Sequence, residues 1–339
     1  MNILKTSYYT ACSLLPMALL KSIGPSNTLF PYHHTVSNEF LPHIKHLYNY
    51  KNEKQFSGDL DLLLKHYRPV TINDIVKSIH EHSRLPEKSF LLSFDDGFRE
   101  VHDVIAPILE RKGIPACFFI NPAFIDNKEL FYRCKISLVI HEGVRSKDPG
   151  SFLDIIHQSG GPLKATVKDA ISFLKTINTS NAFILDRIAE RIEFSYEGFL
   201  KAQRPFLTRD QVKSLHKRGF TIGSHSINHP YFQHIPLKEQ LEQITGSTCY
   251  VNELLEINDC CFSFPHSDEG LPKELFRETD RLDIPLLFGI QNQKMELENK
   301  MLHRFNAERP EVNFSAQIKG LLLLIWLRNL TGRNSISRN

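Results

Sequence analysis

Residues 90–98 read FLLSFDDGF. The apolar run that precedes Asp95 is typical of a short buried strand. Asp95 and Asp96 follow at its carboxyl end, where α/β proteins commonly display catalytic groups, and Gly97 allows the backbone to turn. Two adjacent carboxylates repel each other, and a bound cation would relieve that repulsion. A plain Asp-Asp-Gly turn is the alternative interpretation of this stretch taken alone.

A second stretch, FTIGSHSINHP at residues 220–230, also has polar side chains after a short apolar run. His225 and His229 are four residues apart, and this spacing predicts that both imidazoles lie on one side of a helical turn. Two neutral histidines and one carboxylate are a common Zn²⁺ ligand set that leaves one position open. An isolated HxxxH is weak evidence, but its combination with the Asp-Asp-Gly strand indicates a metal site.

The motifs SFDDG (93–97) and HSINH (225–229) resemble those of the polysaccharide deacetylases, which are carbohydrate esterase family 4 and carry the NodB-homology domain. The resemblance extends from about Leu29 to about Asn306. It implies a distorted (β/α) barrel and a metal-dependent hydrolase that removes N-acetyl groups from a polysaccharide or glycan. The expected cofactor is one divalent metal, with Zn²⁺ preferred over Co²⁺ or Ni²⁺.

The resemblance implies a role for each polar residue of the two motifs. Asp96, His225 and His229 are the predicted metal ligands. Asp95 is the predicted general base, which takes a proton from the attacking water.

The general acid that protonates the leaving amine has two candidates. The segment YHHTV (32–36) resembles a Y-H-x-V motif of the family, and alignment on Val36 places His34 at the family's histidine. His303, in MLHRFNAE (301–308), resembles a histidine of the last family segment and is the second candidate, either as acid or as a residue behind the ligands.

A third motif is unusual in this chain. The strand CCFSFP (260–265) resembles the family strand that ends in a Pro-Tyr pair, so Pro265 and His266 are predicted oxyanion or substrate residues. His266 stands at the tyrosine position, and its backbone N–H is expected to hold the oxyanion. Because no arginine precedes Pro265, the usual partner that orients the catalytic aspartate is missing from this motif.

The chain is interpreted as one catalytic domain with additions. We predict an N-terminal helical segment (1–28), a deacetylase-like domain (29–310) with a helical insertion at about 126–205, and a C-terminal amphipathic helix with a basic tail (311–339). The insertion either shapes the substrate groove or lies away from the site, and the sequence leaves both interpretations open.

Local signals predict several helix boundaries. Ser57 and Asn73 are candidate N-caps of two early helices, and Thr208-x-x-Gln211 is a capping box. Pro107 predicts a break in a helix over residues 99–112.

Composition excludes some partners and locations. The 339 residues carry a net charge of +3 and no basic run with interleaved aromatics, so nucleic acid is not an expected partner. The six cysteines form no CxxC pair, which favours a reducing compartment.

The apolar run near Tyr8 lacks cleavage-type small residues, so we expect a cytoplasmic or membrane-peripheral protein rather than a secreted one. The apolar, basic C-terminal helix either packs on the barrel or rests on an anionic membrane.

Two other functions compete with N-deacetylation. The same site would serve an O-acetyl esterase. A non-catalytic carbohydrate-binding protein on the same fold is the alternative of a different class, although a pure binder has no need of an open metal site. A zinc protease of the HExxH type is not expected, because residues 226–228 are Ser-Ile-Asn and offer no general-base glutamate.

Overall fold

The computed structural model describes residues 3–17, 28–85, 87–296 and 300–338. The α-helices are α1 (Ile3–Ser13), α2 (Glu53–His66), α3 (Ile72–His80), α4 (Ala106–Lys112), α5 (Tyr132–Arg145), α6 (Pro149–Gln158), α7 (Val167–Leu174), α8 (Phe183–Arg191), α9 (Tyr196–Gln203), α10 (Arg209–Lys217), α11 (Leu237–Leu255), α12 (Lys273–Asp280) and α13 (Phe314–Leu330). The strands are β1 (Pro31–His33), β2 (Arg68–Pro69), β3 (Ser89–Phe90), β4 (Leu92–Phe94), β5 (Ala116–Ile120), β6 (Thr221–Ser224), β7 (Phe262–Ser263), β8 (Leu287–Gly289), β9 (Met295–Glu296), β10 (Met301–His303), β11 (Phe305–Asn306) and β12 (Ser335–Ile336).

Eight parallel strands form the main sheet, in the order β10, β8, β7, β6, β5, β4, β1, β11. The two outermost strands are neighbours in the chain, separated only by Arg304. Met301 pairs with Leu287 at one edge, and Phe305 pairs with Pro31 at the other. Because one short segment joins both edges, the sheet is a nearly closed barrel, and the predicted distorted (β/α) barrel is confirmed.

Side chains of β5 alternate between the two faces of the sheet, as the strand period of two requires. Phe118 and Ile120 belong to the main core, which also contains Leu109 of the helix that precedes this strand. Cys117 and Phe119 belong to a separate cluster with Cys261 and with Phe288 of β8. All are buried, so every strand residue here contributes to one of two apolar layers.

Two of the predicted helix caps are wrong. The N-cap of α2 is Asn52, whose side chain accepts the Gln55 N–H, and Ser57 lies inside the helix. The N-cap of α3 is Thr71, which forms a capping box with Asp74. In both cases an earlier polar residue has a partner three positions on, and this reciprocal pair satisfies two helix-end donors at once.

Two other local predictions are confirmed. Thr208 and Gln211 form the predicted capping box at the start of α10. The helix around Pro107 is interrupted, because a π-helical segment (Val101–Ile105) precedes α4. Proline has no N–H to donate, so the change in hydrogen-bond pattern falls where a regular helix would lose a bond.

The helical insertion lies between β5 and β6, as predicted, and consists of α5 to α9 with short connecting turns. Helices α6 and α9 were not predicted. The insertion has its own apolar core, which includes Leu138, Ile156 and Leu174. The same cluster contains Phe98 and Phe131, which line the cavity described below.

The C-terminal helix α13 packs on the body of the protein. Phe314, Ile318 and Leu322 are buried in the main core, and the Tyr8 hydroxyl of α1 donates to the Gly320 carbonyl (2.7 Å). Within the described part of the chain, no helix is long and apolar enough to cross a membrane. Residues 18–27 of the predicted N-terminal helical segment lie outside the described residues.

The six cysteines, all within described ranges, form no disulfide. Cys117, Cys260 and Cys261 are buried in the core, as the sequence predicts.

Candidate active site

The two adjacent aspartates stand at the carboxyl end of β4. Asp96 and Gly97 both have left-handed backbone conformations, with φ of 73° and 63°. A non-glycine residue at positive φ carries strain, and such strain is concentrated at functional sites. The Asp95 N–H donates to the His33 carbonyl (3.0 Å), so the turn is tied to the neighbouring strand. The stretch is therefore a turn that also displays two buried carboxylates.

His225 and His229 follow β6 in a loop, and the predicted helical turn is wrong. Ser226 and His229 have left-handed backbones, with φ of 68° and 61°. The Ser226 hydroxyl accepts the His229 N–H (3.0 Å), which closes a tight turn. The imidazole rings are nevertheless neighbours, with centroids 4.9 Å apart. The tight turn thus brings the two imidazoles together, as the i, i+4 spacing predicted, although the backbone is not helical.

Asp96, His225 and His229 offer their ligand atoms to one point, as the sequence predicted. The Asp96 Oδ1 atom lies 3.1 Å from His229 Nε2 and 3.5 Å from His225 Nε2. Ligand atoms about 2.1 Å from a tetrahedral ion are roughly 3.4 Å apart, so these separations suit a shared Zn²⁺-like ion. Asp96 Oδ1 is also buried and has no hydrogen bond of normal geometry within the described residues. The donor set therefore fits the implied metal.

Each imidazole is oriented by a partner on its other nitrogen. His225 Nδ1 donates to the Ser263 carbonyl (2.8 Å), and His229 Nδ1 lies 3.1 Å from His266 Nε2. These contacts leave both Nε2 atoms facing Asp96, as a ligand requires. Burial lowers the pKa of His225 to about 4, so its imidazole is neutral at pH 7.

His266 has a structural role that the sequence did not predict. Its ring stacks on Tyr231, with centroids 3.6 Å apart and planes 7° apart, and presents Nε2 to His229. Burial lowers the pKa of His266 well below its ordinary value, which keeps the ring neutral and able to accept a hydrogen bond. Buried Pro265 directly precedes it. The proposed oxyanion role of the His266 backbone stays a prediction.

Asp95 is held by an arginine from a distant part of the chain. Arg304 Nη1 donates to Oδ1 (2.7 Å) and Nη2 to Oδ2 (2.8 Å), and Ser93 and Ser263 hydroxyls accept two further bonds. Burial raises the pKa of Asp95, but the Arg304 guanidinium more than offsets it, so the net pKa is lowered. The orienting arginine that the third motif lacks is thus supplied from between β10 and β11.

The structure does not bring His303 to this site. Its buried ring contacts Glu296 (Nε2 to Oε2, 3.0 Å) and lies 3.7 Å from Asp268, and it lines a different cavity. Arg338 pairs with both of those carboxylates. Successive residues of an extended chain face opposite ways, so only Arg304 of this pair can point into the barrel. The alternation of side chains between the two faces of an extended segment, applied to residues 301–306, would have predicted that Arg304 and not His303 points into the barrel.

His34 lies in the same cavity as the aspartates, whereas His33 is buried between Phe56 and Phe94. His34 Nδ1 lies 2.7 Å from Glu308 Oε2. The other Glu308 oxygen accepts the backbone N–H groups of His34 and Thr35. Burial lowers the pKa of His34, but Glu308 outweighs this effect and raises it to about 9, so the imidazole is protonated at pH 7.

The cavity has a volume of about 330 Å³. Its walls include the motif residues Asp95, Asp96, His225 and His229, with Tyr48 and Arg133 beside them. The Tyr48 hydroxyl is buried, and it has no hydrogen-bond partner within the described residues. The Tyr48 ring packs on His34, with centroids 5.0 Å apart. An unpaired hydroxyl in a catalytic cavity is a donor available to a bound molecule.

The insertion forms part of this site. Phe131, immediately before α5, has its ring centroid 4.2 Å from that of His229, and the Tyr132 hydroxyl lies 3.5 Å from His266 Nε2. Of the two interpretations that the sequence left open, the one that places the insertion at the substrate groove is therefore supported.

Several solved structures have the same fold. A Streptococcus pyogenes deacetylase PplD in complex with acetate is 13% identical, with a TM-score of 0.57 over 88% of this chain and 99% of that one. IcaB from Ammonifex degensii is 16% identical, with a TM-score of 0.54 over 88% and 98% of the two chains. A de-N-acetylase from Aggregatibacter actinomycetemcomitans is 16% identical, with a TM-score of 0.55 over 86% and 99%. At these identities the likeness shows the fold.

No curated protein sequence matches this chain at a significant level. The family model described as polysaccharide deacetylase matches residues 82–284, which is more than half of the chain and includes both aspartates, the two predicted histidine ligands and the insertion. The chain therefore belongs to the polysaccharide deacetylase family.

Proposed function

We propose that this enzyme is a metal-dependent hydrolase that removes N-acetyl groups from a glycan. One observation carries the proposal. The facing ligand atoms of Asp96, His225 and His229 share a cavity with a carboxylate held ionised by Arg304 and an imidazole held protonated by Glu308. A base and an acid with such different environments are the pair that amide hydrolysis needs.

Asp96, His225 and His229 would hold the divalent metal, which when bound lowers the pKa of water and polarises a carbonyl group. Asp95 is the general base. It is ionised because Arg304 stabilises its charge, and both of its oxygens are oriented by that guanidinium. Asp95 therefore accepts the proton that the attacking water loses.

His34 is the general acid. It carries a proton at neutral pH because Glu308 stabilises the imidazolium, and it lines the cavity beside the aspartates. An amine is a poor leaving group unless its nitrogen is protonated, whereas an alcohol leaves an ester more readily. A residue that is kept protonated beside the cavity therefore favours the amide over the O-acetyl ester as the substrate.

Tyr48 supplies a hydrogen bond to the substrate. Its hydroxyl is buried and has no hydrogen-bond partner among the described residues, and leaving such a group unpaired costs about 1–3 kcal/mol. A carbonyl or hydroxyl oxygen of the bound glycan would satisfy it. With the His266 backbone N–H as the predicted oxyanion donor, the site binds the acetyl group from more than one direction.

The test combines metal content with acetate release. The purified protein, before and after chelation, is given chitotetraose and a small acetyl ester. We expect about one divalent ion per chain and acetate release from chitotetraose that chelation abolishes and Zn²⁺ restores. Release from the ester alone would make the enzyme an O-acetyl esterase. Full metal occupancy without release from any acetylated glycan would favour a carbohydrate-binding protein, and absence of metal would overturn the proposal.

A cytoplasmic or membrane-peripheral location stays a prediction. Contact of the C-terminal helix with an anionic membrane also stays a prediction.

A further inference from the structure

Arg133 carries a positive charge that the proposed catalytic chemistry does not use. It is the second residue of α5 and lines the catalytic cavity. Within the described residues its side chain forms no ion pair or hydrogen bond. Lys135 on the same helix, by contrast, pairs with Asp186 (2.7 Å). The insertion therefore neutralises one cation of this helix and leaves another free beside the metal-binding residues.

A smaller cavity adjoins the catalytic one. The two share Arg133, Leu47 and Tyr231 as walls, and Lys175 at the end of α7 lines the smaller one. Lys175 is exposed and, among the described residues, has no side-chain partner. No carboxylate of the described residues lines the smaller cavity, and the charged side chains among its walls, Arg133 and Lys175, are both cations.

The carboxylates in and next to the catalytic cavity are engaged by other groups, and none of them pairs with Arg133 within the described residues. Asp95 pairs with Arg304, and Glu308 pairs with His34. Asp96 faces the two imidazoles as a metal ligand. A divalent ion held by Asp96, His225 and His229 would add further positive charge, so the excess of positive charge around Arg133 would be larger with the metal bound. Uncompensated cations on the walls of a cleft attract an anionic ligand.

We propose that Arg133 and Lys175 form an anion-binding subsite, and that the substrate is an acidic glycan with a carboxylate or phosphate group on a unit next to the acetylated sugar. This inference rests on the proposed deacetylation, since it places the anion in the cavity that adjoins the reacting group. Arginine binds carboxylate and phosphate through paired hydrogen bonds, and Lys175 adds a second charge. Tyr231, a wall of both cavities, offers a ring for sugar packing between the two sites.

The first measurement is binding without turnover. Calorimetry with the metal-free full chain compares hyaluronan tetrasaccharide with chitotetraose for the carboxylate, and N-acetylglucosamine 1-phosphate with N-acetylglucosamine for the phosphate. We expect one anionic probe to bind about tenfold more tightly than its neutral partner in 50 mM NaCl, and the difference to shrink in 300 mM NaCl. Tighter binding of hyaluronan tetrasaccharide would identify a carboxylate as the recognised group, and tighter binding of N-acetylglucosamine 1-phosphate would identify a phosphate. Equal affinity within both pairs would overturn the proposal.

Variants assign the effect to the subsite. Arg133→Gln should remove most of the preference and Lys175→Gln part of it, while affinity for the neutral probes stays within about twofold. Lys168→Gln is the matched control, because it removes an exposed lysine from the other end of α7 that lines neither cavity. If Arg133→Gln weakens neutral and anionic probes equally, or if Lys168→Gln has the same effect, the subsite is overturned.

Turnover separates this proposal from the one on which it rests. The metal-loaded enzyme is given the same probes, and acetate is measured. A preference in binding without acetate from any probe would leave the anion subsite standing and count against deacetylation. Acetate release at equal kcat/KM from charged and neutral probes would do the reverse. We expect Arg133→Gln to raise KM for the preferred anionic probe about tenfold, with kcat little changed.

Discussion

The Arg304 guanidinium donates two hydrogen bonds, of 2.7 and 2.8 Å, to the carboxylate of Asp95. The contact lies inside the barrel, and Arg304 itself belongs to the segment that joins the two edges of the sheet. Both side chains are almost fully buried, so each charge depends on the other. The residue that orients Asp95, the proposed general base, thus belongs to the segment that joins the two edges of the sheet.

Replacement of Arg304 should therefore affect stability and the acid side of the pH profile together. Arg304→Lys removes the bidentate contact, so the pKa of Asp95 rises and activity is lost at a higher pH as the solution is acidified. Arg304→Met leaves a buried carboxylate unpaired and should cost about 3–5 kcal/mol of unfolding free energy. Urea unfolding and the pH dependence of kcat/KM measure the two effects.

Arg218 offers a matched control for Arg304. It also forms two hydrogen bonds to one carboxylate, that of Glu110 (2.6 and 2.7 Å), but on a partly exposed surface. Arg218→Lys should cost less than about 1 kcal/mol and leave the pH profile unchanged. An unshifted acid limb in folded Arg304→Lys would contradict the assignment of Asp95 as the base.

Glu308→Gln should shift the alkaline limb of the pH profile. In the proposed mechanism His34 acts in its protonated form, so activity should fall as pH rises through its pKa, which Glu308 raises to about 9. Without that carboxylate, burial lowers the pKa, and the alkaline limb should move down by about one unit or more. Glu100→Gln changes another buried carboxylate that does not line the cavity and should leave the limb in place. An identical profile in both variants would argue against His34 as the acid.

Metal content should distinguish His229 from His303. His229→Ala removes a ligand and should reduce the bound divalent ion well below one per chain. His303→Ala should keep the metal, because His303 lies away from Asp96. Its neighbours are the Asp268 and Glu296 carboxylates, which Arg338 already pairs with. It should instead lower the unfolding free energy by about 3 kcal/mol, since buried charges lose a partner. Metal analysis of the folded variants decides the point, and loss of metal from His303→Ala would contradict it.

Tyr48→Phe should reduce activity without reducing stability. Its hydroxyl has no hydrogen-bond partner in the part of the chain that the structure describes, so its removal breaks no hydrogen bond there. If it binds the substrate, kcat/KM should fall about 10-fold or more, with metal content unchanged. Tyr250 of α11 also has a buried, unpaired hydroxyl, but it does not line the cavity. Tyr250→Phe should therefore keep full activity, and equal activity of the two variants would exclude a substrate contact by Tyr48.

The residues of the two motifs could be predicted because their chemistry is local. A buried strand that ends in Asp95 and Asp96, and another followed by His225 and His229, carry the base and the ligand set within short segments. The distorted barrel was expected because both motifs resemble those of the polysaccharide deacetylases, and the helical insertion was expected because its apolar residues have helical spacing.

Only the tertiary structure decided which residues support those groups. Arg304 rather than His303 enters the barrel because β10 and β11 pair with opposite edges of the sheet, and that register depends on strands far apart in sequence. Glu308 reaches His34 by the same closure, across 274 positions of sequence. His266 supports His229 through a ring that a left-handed backbone places on Tyr231. The sequence by itself determined the reacting groups, whereas the charges and hydrogen bonds that set their protonation states depend on long-range packing.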